Sequence, residues 1–149
     1  MTPTWFTNDR VEALRYQAGM WIGTPFAANS SSKGFGVSCQ KLAGCLYSAC
    51  GFNLPEIPDA SIAQARFSRV SLVEPWFNSR PEFVRLDPST EILPGDVLGF
   101  RIGDIVHHLG VAIEPGRFIH TLEGVGTTIA HVEDATWRSR LVCIWRPKP

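Results

Sequence analysis

Apolar residues at Val11, Leu14, Ala18 and Trp21 recur at helical spacing and fall on one face of an N-terminal helix. Asp9 is placed to cap that helix, with Glu12 three residues on in the manner of a capping box, and Gly23-Thr24-Pro25 ends it. The polar run Asn29-Ser30-Ser31-Ser32-Lys33-Gly34 carries no helical period. A second helix is predicted to begin at Ser38, a good N-cap residue, with Cys39 in its first turn. Leu42, Cys45, Leu46 and Ala49 form its apolar stripe and Gly51 its stop. Asn53-Leu54-Pro55 and Ile57-Pro58 read as extended or turning, and Asp59 as the cap of a short helix through Ala60–Ser68. The stretch from Glu74 to Pro94 carries four prolines and is expected to wander over the surface. After the Pro94-Gly95 turn the period becomes two. Strands are predicted over Asp96–Arg101, His107–Ile113, Arg117–Leu122, Thr127–Val132 and Leu141–Arg146. Helices followed by a run of antiparallel strands define an α+β fold, with N-terminal helices packed on a sheet of about five strands. Residues 1–149 are read as one domain, because neither side of the proline-rich stretch is large enough to bury a core alone.

Composition narrows the class. Hydrophobic residues make up 44% and charged residues 19% of the 149, the balance of a soluble globular domain. Lys plus Arg equals Asp plus Glu at 14 each, which argues against a nucleic-acid binder or a disordered chain. No window approaches the roughly 20 apolar residues of a membrane span. The opening MTPTWFTNDR lacks the basic head, apolar run and cleavage site of a signal peptide, so the expectation is synthesis in the cytoplasm. Cysteines at 39, 45, 50 and 143 form no CxxC pair, and free thiols are expected at Cys45, Cys50 and Cys143.

Cys39 is the most informative position. In a first helical turn it faces unpaired backbone N–H groups and the positive end of the helix dipole. Such a setting lowers a thiol pKa from about 8.5 into the range ~3.5–7.5. The base that a thiol nucleophile needs is most often histidine. His108 and His120 lie in adjacent strands, and strand parity decides whether they meet. With a three-residue loop, Glu114-Pro115-Gly116, and Gly116 in the left-handed conformation, Ile113 pairs with Arg117 and His120 comes opposite Gly110. The two histidines then share one side of the sheet as diagonal neighbours, with the space beside Gly110 empty. A two-residue loop would send His120 to the other side.

Five stretches carry a resemblance: Trp21-Ile22-Gly23-Thr24-Pro25-Phe26, Val37-Ser38-Cys39-Gln40-Lys41-Leu42, Leu93-Pro94-Gly95-Asp96-Val97, His108-Leu109-Gly110-Val111 and Phe118-Ile119-His120-Thr121. In this order they resemble the NlpC/P60 family of bacterial cysteine peptidases, which have a papain-like fold. The resemblance implies Cys39 as nucleophile, His108 as base and His120 as the residue orienting that base, with no cofactor and no metal. It implies hydrolysis of an amide bond in a peptidoglycan peptide. The ending, Thr136-Trp137 and Ile144-Trp145-Arg146-Pro147, is most similar to the phage-tail branch. That likeness implies phage-tail or other delivery partners and action at the cell wall or within a phage-like particle. Two positions depart from the family pattern. Ser38 replaces the usual Asp and keeps the helix cap; Phe26 replaces the usual Tyr and removes a hydroxyl from the reacting group. The backbone N–H of Cys39 remains as an oxyanion donor, and Asn29 or a nearby serine such as Ser38 is a candidate for the second.

Each residue also has a plainer reading. Cys39 is alternatively a buried helix thiol, and His120 a satisfied polar group at a strand end. His107, of opposite parity to His108, reads as structural, and His131 as a surface residue. A metal site from Cys39, His108 and His120 lacks a carboxylate at motif spacing. Trp137, Arg138, Arg140, Trp145 and Arg146 are candidates for glycan or nucleic-acid contact, or for covering a sheet edge. The function classes are therefore a thiol peptidase or amidase, a non-catalytic tail or wall-binding module that keeps the fold, and an acyltransferase or lipid-directed hydrolase.

Overall fold

The computed structural model describes residues 1–59, 63 and 67–149. Most of the short helix expected over Ala60–Ser68 therefore lies outside the described residues. Helix α1 (Asn8–Trp21) and helix α2 (Cys39–Ala49) flank a short hairpin of β1 (Ser31–Ser32) and β2 (Gly36–Val37). Helix α3 (Val73–Ser79) leads into β3 (Phe83–Leu86). There follow β4 (Val97–Ile102), β5 (Ile105–Glu114), β6 (Arg117–Leu122), β7 (Gly126–His131), the short helix α4 (Ala135–Arg140) and β8 (Leu141–Pro147). The main sheet is antiparallel with spatial order β3-β8-β4-β5-β6-β7.

One side of this sheet is covered by α1 and α2. Leu14, Ala18 and Trp21 from α1 and Leu42, Ala43, Leu46 and Tyr47 from α2 are buried against Val97, Val106, Leu109, Val111 and Ile119. The other side carries a smaller core of Leu98, Phe100, Phe118, Val132, Leu141 and Ile144, roofed by Trp137 of α4. The α+β class and the two N-terminal helices agree with the sequence reading, and Ser38 caps α2 by accepting from the Lys41 N–H at 3.2 Å. Helix α1 differs at its start: Thr7 is the N-cap and makes no side-chain cap bond, while Asp9 sits inside the first turn.

The region expected to wander instead forms α3 and a sixth strand of the sheet. Buried apolar residues decide this. Val73, Phe77 and Phe83 are all buried, and Phe77 stacks on Trp145 with ring centroids 4.7 Å apart. Pro75 falls in the first helical turn, where no N–H bond is lost, and Pro81 in the link to β3. Trp145 and Arg146, candidates for surface contact, are both fully buried. Arg146 forms a two-pronged pair with Asp96, Nε to Oδ1 and Nη2 to Oδ2 at 2.9 Å each. It also donates to the carbonyls of Thr2 and Glu91 at 2.8 Å.

The β5–β6 hairpin reaches the expected parity by another route. Glu114, not Ile113, pairs with Arg117, so the turn is the two residues Pro115-Gly116, with Gly116 at φ 78°. By itself such a turn would turn His120 away. A bulge at Ile113 restores the phase: Ala112 pairs with Phe118 and Val111 with Ile119, and one step further His120 comes level with Gly110. Arg15 of α1 holds the bulge by donating from Nε to the Ile113 carbonyl at 3.0 Å.

The space beside Gly110 is filled, not empty. A Cβ there would lie 2.6 Å from Cδ2 of Phe118 and 3.4 Å from Cε2 of Phe100. Both rings are fully buried and cannot swing aside. Gly110→Ala is expected to destabilise by about 1–3 kcal/mol, a fall in Tm of about 3–10 °C by calorimetry. A Tm unchanged within error would show that the two rings can give way.

Candidate active site

Cys39 stands at the first position of α2, because Ser38 breaks into extended backbone and its hydroxyl takes up the Lys41 N–H. His108 comes from the middle of β5 and His120 from β6. Nε2 of His108 lies 2.9 Å from Nδ1 of His120. Cys39 and His108 line one small cavity of about 30 Å³, together with Phe26, Gln40, Ile102, His107, Thr121 and Leu122. That volume holds a water or two. The structure thus brings together Cys39, His108 and Phe26 at the cavity and His120 behind His108.

The histidine pair is packed in aromatic rings. Trp137 stacks on His108 at 5.4 Å between centroids and 27° between planes, and meets His120 edge-on at 4.8 Å. Phe118 meets the edge of His120 at 4.8 Å, and Phe100 tilts against His108 at 5.8 Å. Burial in this box penalises the charged form of both rings. It holds His108 well below the usual histidine range, with His120, His107 and Arg140 adding to the effect, and brings His120 down to about 4. Both rings are therefore neutral in the folded protein at pH values where the unfolded chain takes up protons.

That difference predicts a pH dependence of stability. A depressed histidine pKa contributes fully above the unfolded value of about 6.5, and the contribution is lost as pH falls from there toward 4. The urea midpoint is expected to drop steadily over that window, and the drop to shrink in His120→Phe. A midpoint with the same slope in both proteins would contradict the assignment.

The thiol differs from the sequence expectation. Burial pushes Cys39 up to about 12, and the carboxylate of Asp59 adds to this; backbone hydrogen bonds with Leu109, Gln40 and Cys39 itself act in the opposite direction. A helix start lowers a thiol pKa where water reaches it, but Cys39 is only 6% exposed, and desolvation outweighs the dipole. The resting thiol is therefore protonated.

Ser38 and Asn29 converge on a residue that sequence reasoning assigned elsewhere. The Ser38 hydroxyl donates to Oδ2 of Asp59 at 2.5 Å, and the Asn29 backbone N–H donates to the same oxygen at 3.1 Å. The Asn29 residue is exposed, has φ 55°, and does not line the cavity. The helix that Asp59 is expected to cap lies largely outside the described residues; within them its carboxylate ties down the loop before Cys39. Gln40 was also missed. It is buried and donates from Nε2 to the His107 carbonyl at 3.0 Å, locking the start of α2 to β5. Its place next to the candidate nucleophile was the only sequence signal for it. His107 lines the cavity as well, and Thr121 Oγ1 is buried there without a hydrogen-bond partner among the described residues. Trp137 proves to be the roof of the histidine pair, not a sheet-edge cover.

Cys45 and Cys50 are half-buried free thiols, and Cys143 is a buried one. Among the described residues no group of three His, Cys, Asp or Glu side chains is arranged to hold a metal ion, and no helix is long and apolar enough to cross a membrane.

A helix that carries a cysteine at its start, packed on an antiparallel sheet that carries a histidine pair, is a papain-like α+β arrangement. The NlpC/P60 family model matches residues 23–146, and the chain belongs to that family. Among solved structures, an NLP/P60-family lipoprotein-like protein of Staphylococcus aureus Mu50 shares 20% identity at a TM-score of 0.70, over 100% of this chain and 45% of its own. An NlpC/P60 family protein of Bacillus cereus shares 21% at a TM-score of 0.69, over 99% of this chain and 42% of its own. The NlpC/p60 domain of the peptidoglycan hydrolase SagA shares 17% at a TM-score of 0.60, over 90% of this chain and 96% of its own. The chain thus spans less than half the length of the first two. No curated protein matches it.

Proposed function

We propose that this chain is a cysteine peptidase or amidase that hydrolyses an amide bond in the peptide part of bacterial peptidoglycan. Cys39 is the nucleophile, His108 the base and His120 the group that orients His108. The observation that carries the reading is the 2.9 Å contact between His108 and His120, with His108 and Cys39 on the same cavity. Family membership and the likeness to the NlpC/p60 domain of a peptidoglycan hydrolase support the substrate class.

The protonation states define the step. The neutral Nδ1 of His108 takes the Cys39 proton as sulfur bonds to the carbonyl carbon, and Nε2–H donates to Nδ1 of His120. The resulting imidazolium lies against the face of Trp137, which favours a cation. His108 then returns the proton to the departing amine and leaves a thioester, which water hydrolyses with His108 again as base. The backbone N–H of Cys39 donates to the oxyanion; Phe26 lines the cavity without the hydroxyl that the family's usual tyrosine would bring. That missing hydroxyl favours the second reading, a wall-binding module that keeps the fold without turnover. The similarity of the chain's ending to the phage-tail branch supports delivery within a phage-like particle, with tail proteins as partners.

Mass spectrometry of purified peptidoglycan, incubated with the protein and with Cys39→Ala, tests the proposal. New peptide termini are expected with the wild type alone. Termini that also appear with Cys39→Ala would refute the nucleophile. Binding without cleavage by the wild type would establish the module.

A further inference from the structure

The hydroxyl of Thr121 is a buried polar group that the mechanism above leaves unused. Thr121 is 1% exposed and lines the catalytic cavity with Cys39 and Phe26. Of the side chains around that cavity, it is the one whose buried polar atom has no hydrogen-bond partner among the described residues. Proteins pair nearly all such groups, because an unpaired buried hydroxyl is costly, so an orphan at a reactive centre calls for an occupant.

Its position follows from the pleat of β6. Ile119 belongs to the core beneath α2 together with Cys39, and Thr121, two residues on, faces the same side. His120, between them, faces His108. The loop that carries Phe26 is fastened alongside by β7. Thr121 pairs with Thr127 across the ladder, the Thr127 N–H donates to the Thr24 carbonyl at 2.9 Å, and the Gly23 N–H donates to the Thr127 carbonyl at 3.0 Å. Phe26 itself bridges to Val37, two residues before Cys39. Thr121, Phe26 and the start of α2 thus enclose one space of about 30 Å³. A space that admits a water or two keeps the groups on its walls within contact of whatever fills it.

The donors expected at this place are engaged elsewhere. Ser38 gives its hydroxyl proton to Asp59, Asn29 stands outside the cavity, and Phe26 has no hydroxyl. Gln40 commits an amide N–H to the His107 carbonyl. Thr127 adds a second orphan: its Oγ1 is also buried without a partner among the described residues, directly across the ladder from Thr121. Residues so paired hold their Cβ atoms about 4.5–5.5 Å apart, which lets one hydroxyl donate to the other.

From this geometry we infer that Thr121 is a catalytic residue, the second donor to the oxyanion, and that Thr127 is a positioning residue behind it. The inference rests on the hydrolase reading of the site. As Cys39 Sγ bonds to the carbonyl carbon, the thiol proton passes to His108 and the π pair of the C=O bond moves onto oxygen. The Thr121 hydroxyl and the Cys39 backbone N–H donate to that oxygen, and Thr127 donates to Thr121 Oγ1, which strengthens the bond it makes. The pair then returns, the C–N bond breaks, and the amine leaves with the proton from His108. Thr121 keeps its own proton throughout. A hydroxyl without a protein partner suits this task, since no bond has to break before it meets the charge.

Thr121→Val removes the hydroxyl at nearly constant volume, and Thr121→Ser keeps it. On a soluble wall peptide, Thr121→Val is expected to lower kcat by about 10²–10³-fold with KM little changed, the scale of one oxyanion donor, and Thr121→Ser to recover most of that loss. Thr121→Val is also expected to melt above wild type, because a methyl group replaces an unpaired hydroxyl. Phe26→Tyr should raise kcat more in the Thr121→Val background than in wild type, since it brings a hydroxyl to the same space. Thr127→Val should cost less than Thr121→Val and add no loss to it; additive losses would deny Thr127 its role. Acetyl-alanyl-glycinal tests the donor without turnover, because its aldehyde carbon bonds to Cys39 Sγ and its oxygen takes up the thiol proton. NMR titration is expected to show about tenfold weaker binding to Thr121→Val than to wild type, and near-wild-type binding to Thr121→Ser. Equal kcat and equal aldehyde affinity for Thr121→Val and wild type would overturn the donor and leave the hydrolase. A Thr121→Ser protein as poor as Thr121→Val would trace the effect to packing and overturn it as well. Aldehyde binding that depends on Thr121, in a protein that cleaves no wall peptide, supports the donor and refutes the hydrolase; a wild type that neither cleaves nor binds the aldehyde refutes both.

Discussion

Cys39→Ala and His108→Ala are each expected to lower turnover of peptidoglycan peptides by about 10⁶-fold, and the double variant by no more than either alone. In the proposed mechanism nucleophile and base act as one unit for a specific reason. Burial holds the thiol up near 12, so Cys39 supplies almost no thiolate by itself, and in that mechanism the sulfur reacts only when His108 removes its proton. Burial also holds His108 in the neutral form that can take it. Neither half is useful without the other. His120→Ala is expected to cost about 10⁴-fold, less than the other two, because an orienting group secures tautomer and angle without touching the substrate. His120→Asn, which offers an amide oxygen to Nε2–H of His108, is expected to recover part of that loss. The acid limb of the kcat/KM profile should lie below pH 6.5, since activity is lost only when His108 becomes protonated, and should move in His120→Asn. Steady-state kinetics on a soluble wall peptide measures all of these. Equal losses for His120→Ala and His120→Asn, with an unmoved acid limb, would show that His120 acts only as packing.

The second large effect concerns stability. Arg146→Met is expected to lower the unfolding free energy by about 3–5 kcal/mol, because it leaves the Asp96 carboxylate buried without its counter-charge. Asp96 keeps one other bond, from the Leu93 N–H at 2.8 Å, which is too little to hold an isolated anion. Arg146 also ties Thr2 and Glu91 to β8, so its loss loosens the chain start and the approach to β4 together. A domain holds only about 5–15 kcal/mol in all, so the variant should be partly unfolded at physiological temperature. Adding Asp96→Leu to Arg146→Met should restore part of the loss, since an apolar pair avoids the unpaired charge. Urea unfolding of the four proteins completes the cycle. Additive losses would mean that the pair is less coupled than its geometry implies.

The α+β class, both N-terminal helices and the five later strands were legible because each carries a pattern set by local physics. Leu14, Ala18 and Trp21 repeat at helical spacing, and the later strands are short β-favouring runs set off by turn residues such as Pro94-Gly95 and Pro115-Gly116. His108 and His120 share a face as expected, but by another route: the expected three-residue loop is a two-residue turn, and the bulge at Ile113 supplies the missing step of parity. What the sequence hid was tertiary. Strand β3 exists because Phe77, Phe83 and Trp145 pack together across about 70 residues of chain, and four prolines masked it. The burial of Arg146 was invisible because its partner stands 50 residues away. The raised pKa of Cys39 was missed because position on a helix says nothing of how much water reaches the sulfur. Asp59 and Trp137 carried no local sign that they would close around the site, and the role of Arg15 depends on a bulge that no spacing announces.

The bulge at Ile113 gives the hairpin a strict tolerance rule for insertions and deletions. Adding or removing one residue between His108 and His120 inverts the pleat and carries one imidazole to the α1/α2 side of the sheet, whereas a change of two near the tip lengthens or shortens the ladder and leaves both rings in phase. Variation in loop length among descendants of this gene, or in a library built from it, should therefore survive in even steps. The one route by which an odd step can survive is a compensating gain or loss of the bulge itself, and with it of the need for an arginine at position 15 of α1. Hairpin length and the residue at position 15 are thus expected to change together, although they lie almost 100 residues apart in the chain.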